Sequence, residues 1–396
     1  MSRDTVIIGG GVMGAATACF LARDHGVAVT VLERDPSFSR ASSALSASSI
    51  RQQFSTPLNI ALSAWSVEFL RRVGDELAVD GQAPAIGLAE HGYLYLATPQ
   101  GVQALAANHD VQRQAGAAVQ WLSPDDLRER FAWMATDDLA GGNLGLRGEG
   151  WFDGPALHQA FRRKAIACGA RFVAADALGF ETDSTDQVRA VLTRDARRFE
   201  AGAVVLAGGA WSAPLAAQLG VRLPVSPKKR DVFVLDSPAA PLPGYPLVID
   251  PSGVWFRPEG RGFIAGAPPR CVEDGGAGDP DEPPLETIDH ALFDEVIWPA
   301  LARRVPAFEA LRVRSCWAGY YEMNDYDHNG LAGPLPGWHN AYTACGFSGH
   351  GMQQAPAVGS ALAALIAGGR SSAPTLDLLH PSRLTEGRPV VERNII

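Results

Sequence analysis

The sequence predicts an α/β protein, with one domain built on a central parallel sheet and a second domain carrying a mainly antiparallel sheet. Three observations carry this. The chain opens on an apolar strand that runs into Gly9-x-Gly11-x-x-Gly14 and a helix, and a second strand, Val27 to Leu32, ends in Glu33. Two later apolar runs, ending at Leu206 and Cys345, also break on glycines just before a helix. Between them lie short strand-like runs separated by turns, which suits antiparallel pairing.

In the opening unit, Val6 to Ile8 are apolar and β-branched, as a strand buried on both faces requires. Gly9 permits the tight turn, Gly11 lets the backbone touch a pyrophosphate, and Gly14 lets the helix from Ala15 to Arg23 pack on the strand. The unpaired N–H groups at that helix start face the anion. Glu33 follows Gly14 by nineteen residues. A carboxylate there accepts hydrogen bonds from a ribose and repels a 2'-phosphate, so the ligand of this Rossmann-like unit is FAD or NAD rather than NADP.

Composition bounds the rest. A chain of 396 residues suits roughly two to three domain-sized units, enough for a ligand crevice between them. Lys and Arg total 34 against 43 Asp and Glu, and the net charge of -9 argues against non-specific binding to nucleic acid or anionic membrane. The five cysteines, Cys19, Cys168, Cys271, Cys316 and Cys345, are scattered without a C-x-x-C pair, so they read as reduced thiols and not as a disulfide frame or metal site. The N-terminus runs straight into a strand, leaving no room for a signal or transit peptide, and no apolar run approaches a membrane span. The expectation is a soluble cytoplasmic protein.

After Glu33 a serine-rich loop, Ser37 to Phe54, feeds a helix from Leu58 to Val73. Arg51 is the only cation between Arg40 and Arg71, and reads either as a surface arginine or as a clamp for a substrate carboxylate. Gly92 to Ala97 alternates as a strand, Pro99 to Ala117 reads as a helix, and Ser123-Pro-Asp-Asp begins a capped short helix, the whole forming an insertion into a second domain. Gly148 to Asp153 returns the chain to the first. A helix from Pro155 to Cys168 and a strand from Ala170 to Ala174 extend the parallel sheet. Val188 to Leu192 and Glu200 to Leu206 supply a small meander and a returning strand that breaks on Gly208 and Gly209. Lys228 to Leu235, Gly253 to Arg257 and Gly262 to Gly266 read as antiparallel strands. The acidic run Glu273 to Pro284 reads as an exposed loop without EF-hand spacing, followed by a helix from Ile288 to Arg304 and a strand from Leu311 to Tyr321. The last strand meets Gly346, Gly349 and Gly351 before a small-residue helix to Ile366. Three such junctions would converge on one long ligand. The segments divide as 1–85, 148–225 and 325–376 for a discontinuous cofactor domain, 86–147 and 226–324 for a substrate domain, and 377–396 for a C-terminal tail.

The glycine motif with Glu33, the turn Ala207-Gly-Gly-Ala-Trp-Ser212 and the turn Cys345-Gly-Phe-Ser-Gly-His-Gly-Met352 together resemble the D-amino-acid oxidase, glycine oxidase and sarcosine oxidase family of FAD flavoproteins over nearly the whole chain. Ser49 to Phe54, Trp317 to Tyr321 and Gly346 to Pro356 look most like the FAD-dependent oxidoreductase-domain branch that assists mitochondrial complex I assembly, without its presequence. The resemblance implies non-covalent FAD. Its adenosine would lie at Gly9, Gly11, Val12, Met13, Gly14, Glu33 and Arg34, with the backbone of Val173 near the adenine. Its ring system would sit between Ser42, Ser43 and Ser49, then Gly208, Gly209 and Trp211, then Gly346, Gly349, His350, Gly351 and Met352. The helix N-terminus after Gly351 would stabilise negative charge on the reduced flavin.

By the same resemblance the reaction removes hydride from the carbon beside an amine of an amino acid or N-substituted amino acid, giving an imine that hydrolyses. Flavin supplies the difficult step and the protein supplies orientation. Arg51 matches the position that holds the substrate carboxylate, and Tyr320, Tyr321, His350 and Gln353 are the other candidate site residues. The departures are specific. The second carboxylate-binding lysine of sarcosine oxidases falls at Gln353, their oxygen-activating lysine at Ile264, and their flavin-linking cysteine at Tyr320. These imply unlinked FAD, a substrate other than sarcosine, and oxygen or another electron acceptor. The alternatives are oxidation of a 2-hydroxy acid and a flavin-binding assembly or scaffold protein.

Overall fold

The structure is a computed structural model, and it describes residues 4–237, 244–270 and 284–394. The first sheet has six strands in the order Leu331–Pro334, Ala341–Cys345, Ala203–Leu206, Thr5–Ile8, Val29–Glu33, Arg171–Ala174. All neighbours pair in parallel except the edge strand Leu331–Pro334, which is antiparallel. Such a sheet is covered on both faces, which explains why Thr5–Ile8 is buried at every residue. One face carries Ile7 and Val31 under the helices Val12–His25, Gly154–Ala167 and Gly351–Ala367, where Phe20, Phe69 and Phe161 pack ring against ring. The other face carries Val6, Ile8, Leu32 and Val204 against a three-stranded antiparallel meander, Ala177–Thr182, Val188–Thr193 and Arg198–Glu200. The helices Val12–His25 and Gly351–Ala367 cross so closely that a Cβ at Gly359 would stand 2.8 Å from the Ala16 Cβ.

The strand order has one consequence for function. The three strands that end on glycine turns, Thr5–Ile8, Ala203–Leu206 and Ala341–Cys345, are immediate neighbours. Their turns therefore leave the same edge of the sheet side by side, although they are separated by up to about 340 positions along the chain.

The second sheet has eight strands, Arg312–Asn324, Val225–Asp236, Gly262–Gly266, Trp255–Glu259, Leu247–Ile249, Tyr93–Ala97, Gly141–Gly145 and Val119–Leu122. Every pairing is antiparallel but that of Leu247–Ile249 with Tyr93–Ala97. Alternation sorts its side chains. Leu94, Phe233, Val248, Phe256 and Phe263 fill a core with Phe293, Ile297, Leu301 and Phe308. Tyr93, Leu247, Ile249, Tyr95 and Trp255 form a separate apolar layer with Trp151. The short helix begun at Ser123 carries the predicted capping box with Asp126.

The helix expected over 288–304 is interrupted: His290–Leu292 is helical, Phe293–Ile297 widens to a π turn, and Trp298–Arg304 is helical again. The wide turn sits just before Pro299, which has no N–H for an i to i−4 bond. Residues 273–283 of the acidic run and Cys271 lie outside the described residues. The four described cysteines are unbridged, and among the described residues no His, Cys, Asp and Glu cluster has metal-binding form. No helix of the described residues is long and apolar enough to cross a membrane.

Candidate active site

A cavity of about 440 Å³ lies between the glycine-turn edge of the first sheet and the second sheet. At one end is the Gly9 turn. Gly9 has φ +103°, and a Cβ there would lie 2.4 Å from the Ala207 carbonyl oxygen, while one at Gly14 would lie 2.0 Å from the Gly9 oxygen. These two glycines lock turn and helix together. Gly11 differs: its Cβ would meet only Ser43 Oγ, at 3.1 Å, so its open side faces the cavity. At the helix start, the Val12 N–H donates to Ser43 Oγ at 2.8 Å. Glu33 accepts from the Gly10 and Asp35 N–H groups at 2.8 and 2.9 Å, and burial raises its carboxyl above the usual range. The Arg34 guanidinium stacks 4.2 Å above the Trp211 ring.

The middle of the cavity is walled by the other two turns. Gly209 adopts φ +58° and Gly349 φ +89°, where a Cβ would stand 2.5 Å from the Tyr321 ring. Between them lies Glu322, with Oε2 3.4 Å from the Cβ position of Gly209 and Oε1 3.2 Å from that of Gly351. Burial pushes its carboxyl up to about 7, against the pull of the Gly346 and Phe347 N–H groups. His350 caps the helix Gly351–Ala367. Burial, and secondly Arg51, lowers it to about 3, so the ring is neutral at physiological pH. Neither His350 nitrogen has a protein partner, nor does Trp211 Nε1, and all three atoms are buried. Buried polar atoms are normally satisfied, so a cradle with these unpartnered buried nitrogens fits a polar planar ligand.

Gly9, Gly11, Val12, Met13, Glu33, Arg34, Ser42, Ser43, Ser49, Gly208, Gly209, Trp211, Gly349, His350, Gly351 and Met352 all line the cavity, as do Arg51, Tyr320, Tyr321 and Gln353. Three predicted cofactor residues do not. Gly14 is buried beneath the turn. Val173 packs into the core on the meander side, and the chain reaches the cavity only past the strand end, at Ala175 to Leu178. Gly346, at φ +72°, serves packing, since a Cβ there would meet Val225 Cγ2 at 2.9 Å.

At the far end, Arg51 is 2% exposed and lies 4.1 Å over the Phe54 ring. It donates through Nη1 to the Gln53 carbonyl and through Nη2 to the Asn394 carbonyl, and its backbone N–H donates to Gln353 Oε1 at 2.9 Å. Arg257 brings a further guanidinium to the same cavity, whose wall also includes Arg34, Arg40 and Arg230. Sequence reading missed it, along with Glu322 and Glu149. A hint lies in alternation, because Arg257 shares a strand face with the cavity-lining Trp255 and opposes the core residue Phe256. Glu149 is buried behind Arg51, accepting from the Gln52 N–H and Gln53 Nε2 at 2.8 and 2.7 Å, and burial pushes it up to about 7.

A parallel-sheet dinucleotide cradle opening under an antiparallel sheet defines a flavin- or nicotinamide-dependent oxidoreductase. Comparison narrows the class: the chain belongs to the DAO family, described as FAD dependent oxidoreductase, whose profile matches residues 4–365. It is 40% identical to FAD-dependent oxidoreductase domain-containing protein 1 of Xenopus laevis over 99% of this chain and 85% of that protein. Among solved structures, L-proline dehydrogenase from P. horikoshii superposes with a TM-score of 0.84 at 26% identity, covering 98% of both chains. Glycine oxidase from Geobacillus kaustophilus superposes with a TM-score of 0.78 at 25% identity, covering 96% of this chain and 98% of that one. The protein is thus an FAD-dependent oxidoreductase.

Proposed function

We propose that this oxidoreductase acts on the carbon beside the amine of an amino acid or N-substituted amino acid, with FAD held without a covalent link. One observation carries the reading: a single cavity runs from the dinucleotide cradle to two buried guanidiniums, Arg51 and Arg257. Two structural relatives named for oxidising glycine and proline support it.

In this reading segments 1–85, 148–225 and 325–376 hold the cofactor, and 86–147 with 226–324 cover the substrate. Gly9 to Met13, Glu33 and Arg34 would hold the adenosine and pyrophosphate. Ser42, Ser43, Ser49, Gly208, Gly209, Trp211 and Gly349 to Met352 would hold the flavin ring. Bound there, FAD supplies acceptance of a hydride from the substrate C–H bond. The chain's own contribution is orientation and charge. Arg51 seats the substrate carboxylate, and Gln353, which accepts from the Arg51 N–H and from Ser63 Oγ at 3.2 Å, fixes the backbone that carries it. His350, kept neutral, places no positive charge beside the amine, and Tyr321, whose phenol burial raises further, stays protonated. No cysteine or lysine lines the cavity among the described residues, which supports unlinked FAD and slow reaction with oxygen.

The test is anaerobic titration of the yellow protein with D-, L- and N-substituted amino acids and 2-hydroxy acids. Amines should bleach the flavin faster as pH rises, because only the neutral amine reacts. Bleaching by hydroxy acids alone would overturn the reading.

A further inference from the structure

We propose that binding of FAD takes up a proton from solution and that Glu322 receives it, so that the loaded site holds this side chain as a neutral carboxylic acid. The inference rests on the placement of FAD proposed above, at the Gly209 and Gly351 turns, and not on the substrate.

The Glu322 carboxyl stands between two glycine turns, with Oε2 3.4 Å from the Cβ position of Gly209 and Oε1 3.2 Å from that of Gly351. The side chain is only partly buried, and what remains open of it lines the cavity. Its wet side is thus the side that a ligand in the cradle covers. Among the described residues no lysine, arginine or histidine pairs with Glu322; the carboxyl is held by the N–H groups of Gly346 and Phe347.

The elements packed around it supply little charge. On its own strand Tyr321 stays protonated, because burial raises its phenol. On the paired strand Val225–Asp236, Pro227 lies opposite Glu322 and Lys228 opposite Tyr321, and the Arg230 guanidinium lies 5.2 Å over the Tyr321 ring. On the strand Ala341–Cys345, burial, and secondly Glu322, pushes the Cys345 thiol up to about 12. In the turn beyond it His350 is neutral. The Gly209 turn offers Trp211 and Ser212, and the helix Gly351–Ala367 contains no titratable side chain.

Burial has already raised the carboxyl to about 7, against the pull of the two N–H groups, so both its forms are populated at neutral pH. Covering it with FAD removes its remaining water and brings the like charge of a pyrophosphate into the same cavity. Both changes favour the neutral form. The helix start and the two N–H groups favour the anion, but that help is in place before the ligand arrives. The neutral carboxyl also gains an O–H donor, for which FAD offers carbonyl, ring-nitrogen and hydroxyl acceptors. The step balances: one proton leaves the buffer, one O–H bond forms, and no electrons move.

The experiment titrates full-length protein, freed of FAD, in a calorimeter at pH 8 in two buffers of different ionisation heat, which gives the protons taken up per ligand bound. ADP-ribose is the comparison, since it brings the same adenosine and pyrophosphate to the Gly9 and Glu33 end without a flavin. If covering Glu322 lowers its acidity by about a further hundredfold, FAD takes up about 0.8 proton more than ADP-ribose. The wild-type Kd for FAD, read from flavin fluorescence on dilution of loaded protein, then rises about 45-fold more than that of Glu322→Gln between pH 6 and pH 9. Glu322→Gln keeps an oxygen for the two N–H groups and should take up equal numbers of protons with both ligands. Equal uptake with both ligands in the wild type overturns the proposal and requires no variant. So does a Glu322→Gln protein that keeps the wild-type excess, or one whose Kd follows the wild-type pH profile. The two readings fail separately: excess uptake with bleaching by hydroxy acids alone removes amine oxidation, while bleaching by amines with equal uptake removes the role of Glu322.

Discussion

In the proposed reading Arg51 is at once a structural residue and a substrate-binding one. Two of its N–H groups are taken by carbonyls at Gln53 and Asn394, and its face lies on Phe54, leaving part of the fork for a substrate carboxylate. Lysine would keep the charge and lose this geometry. We therefore expect Arg51→Lys to lower kcat/KM for carboxylate substrates by about a hundredfold, with flavin content retained. Steady-state kinetics beside the flavin-to-protein absorbance ratio decide it, and unimpaired turnover would take Arg51 out of the site. Glu149, behind Arg51, makes a separate prediction. Its folded-state pKa, about 7, exceeds the ordinary 4.5, so between those values the folded chain holds a proton that the unfolded chain has lost. The stability this contributes is complete below pH 4.5 and disappears as pH rises through 7, amounting to about 3 kcal/mol. His350, held neutral, acts with the opposite sign below 6.5, so the useful measure is the difference between wild type and Glu149→Gln. Urea unfolding at pH 5 and 8 should show the wild type losing stability relative to the variant; parallel profiles would refute the assignment.

At the scale of elements, the glycine turns were the legible part of the sequence, because each needs a residue type that few other roles demand. Gly9, Gly209 and Gly349 have positive φ, at Gly9 and Gly349 with crowded surroundings as well, and all three line the cavity. The inner face of the second sheet was not legible. Arg257 is marked only by period-2 alternation on a five-residue strand, and Glu322 lies on the thirteen-residue strand Arg312–Asn324, whose register to Val225–Asp236 shifts at Val234 and Leu235. Val173 and Gly346 do not line the cavity; a strand end and a packing glycine resemble ligand contacts in one dimension. The cradle glycines also separate fold from binding. A Cβ at Gly14 would strike backbone, whereas at Gly11 it meets only a serine hydroxyl. Gly14→Ala should lower the melting temperature by several degrees and lose FAD with it. Gly11→Val should fold, melt near the wild-type apo-protein, and still purify colourless. Thermal melts with flavin absorbance distinguish the pair, and a fully yellow Gly11→Val protein would contradict the cradle.

Across the whole molecule the cavity is where the two sheets meet, and the chain's end is tied to it as well. The Glu392 carboxylate is fully buried, accepting from the Ser55 N–H and Oγ, Thr56 Oγ1 and Asn59 Nδ2 at 2.7 to 3.0 Å, and two residues later Asn394 offers its carbonyl to Arg51. The C-terminal segment is thus part of the wall behind the site; this role is invisible in one dimension because the side-chain partners of Glu392 lie more than 300 positions away. Cofactor and fold should accordingly be linked. In the proposed placement FAD would touch both the glycine turns and the second sheet and bind only the assembled molecule, so it would stabilise by mass action. At FAD a hundredfold above its Kd the gain is about 2.7 kcal/mol, which for a chain of this length raises the melting temperature by roughly 3 °C. The shift should grow with the logarithm of FAD concentration, and adenosine diphosphate, which reaches only the Gly9 to Gly14 end, should give less at equal saturation of the cradle. A melting temperature indifferent to FAD would mean that the turns around Gly11, Gly209 and His350 do not share one ligand.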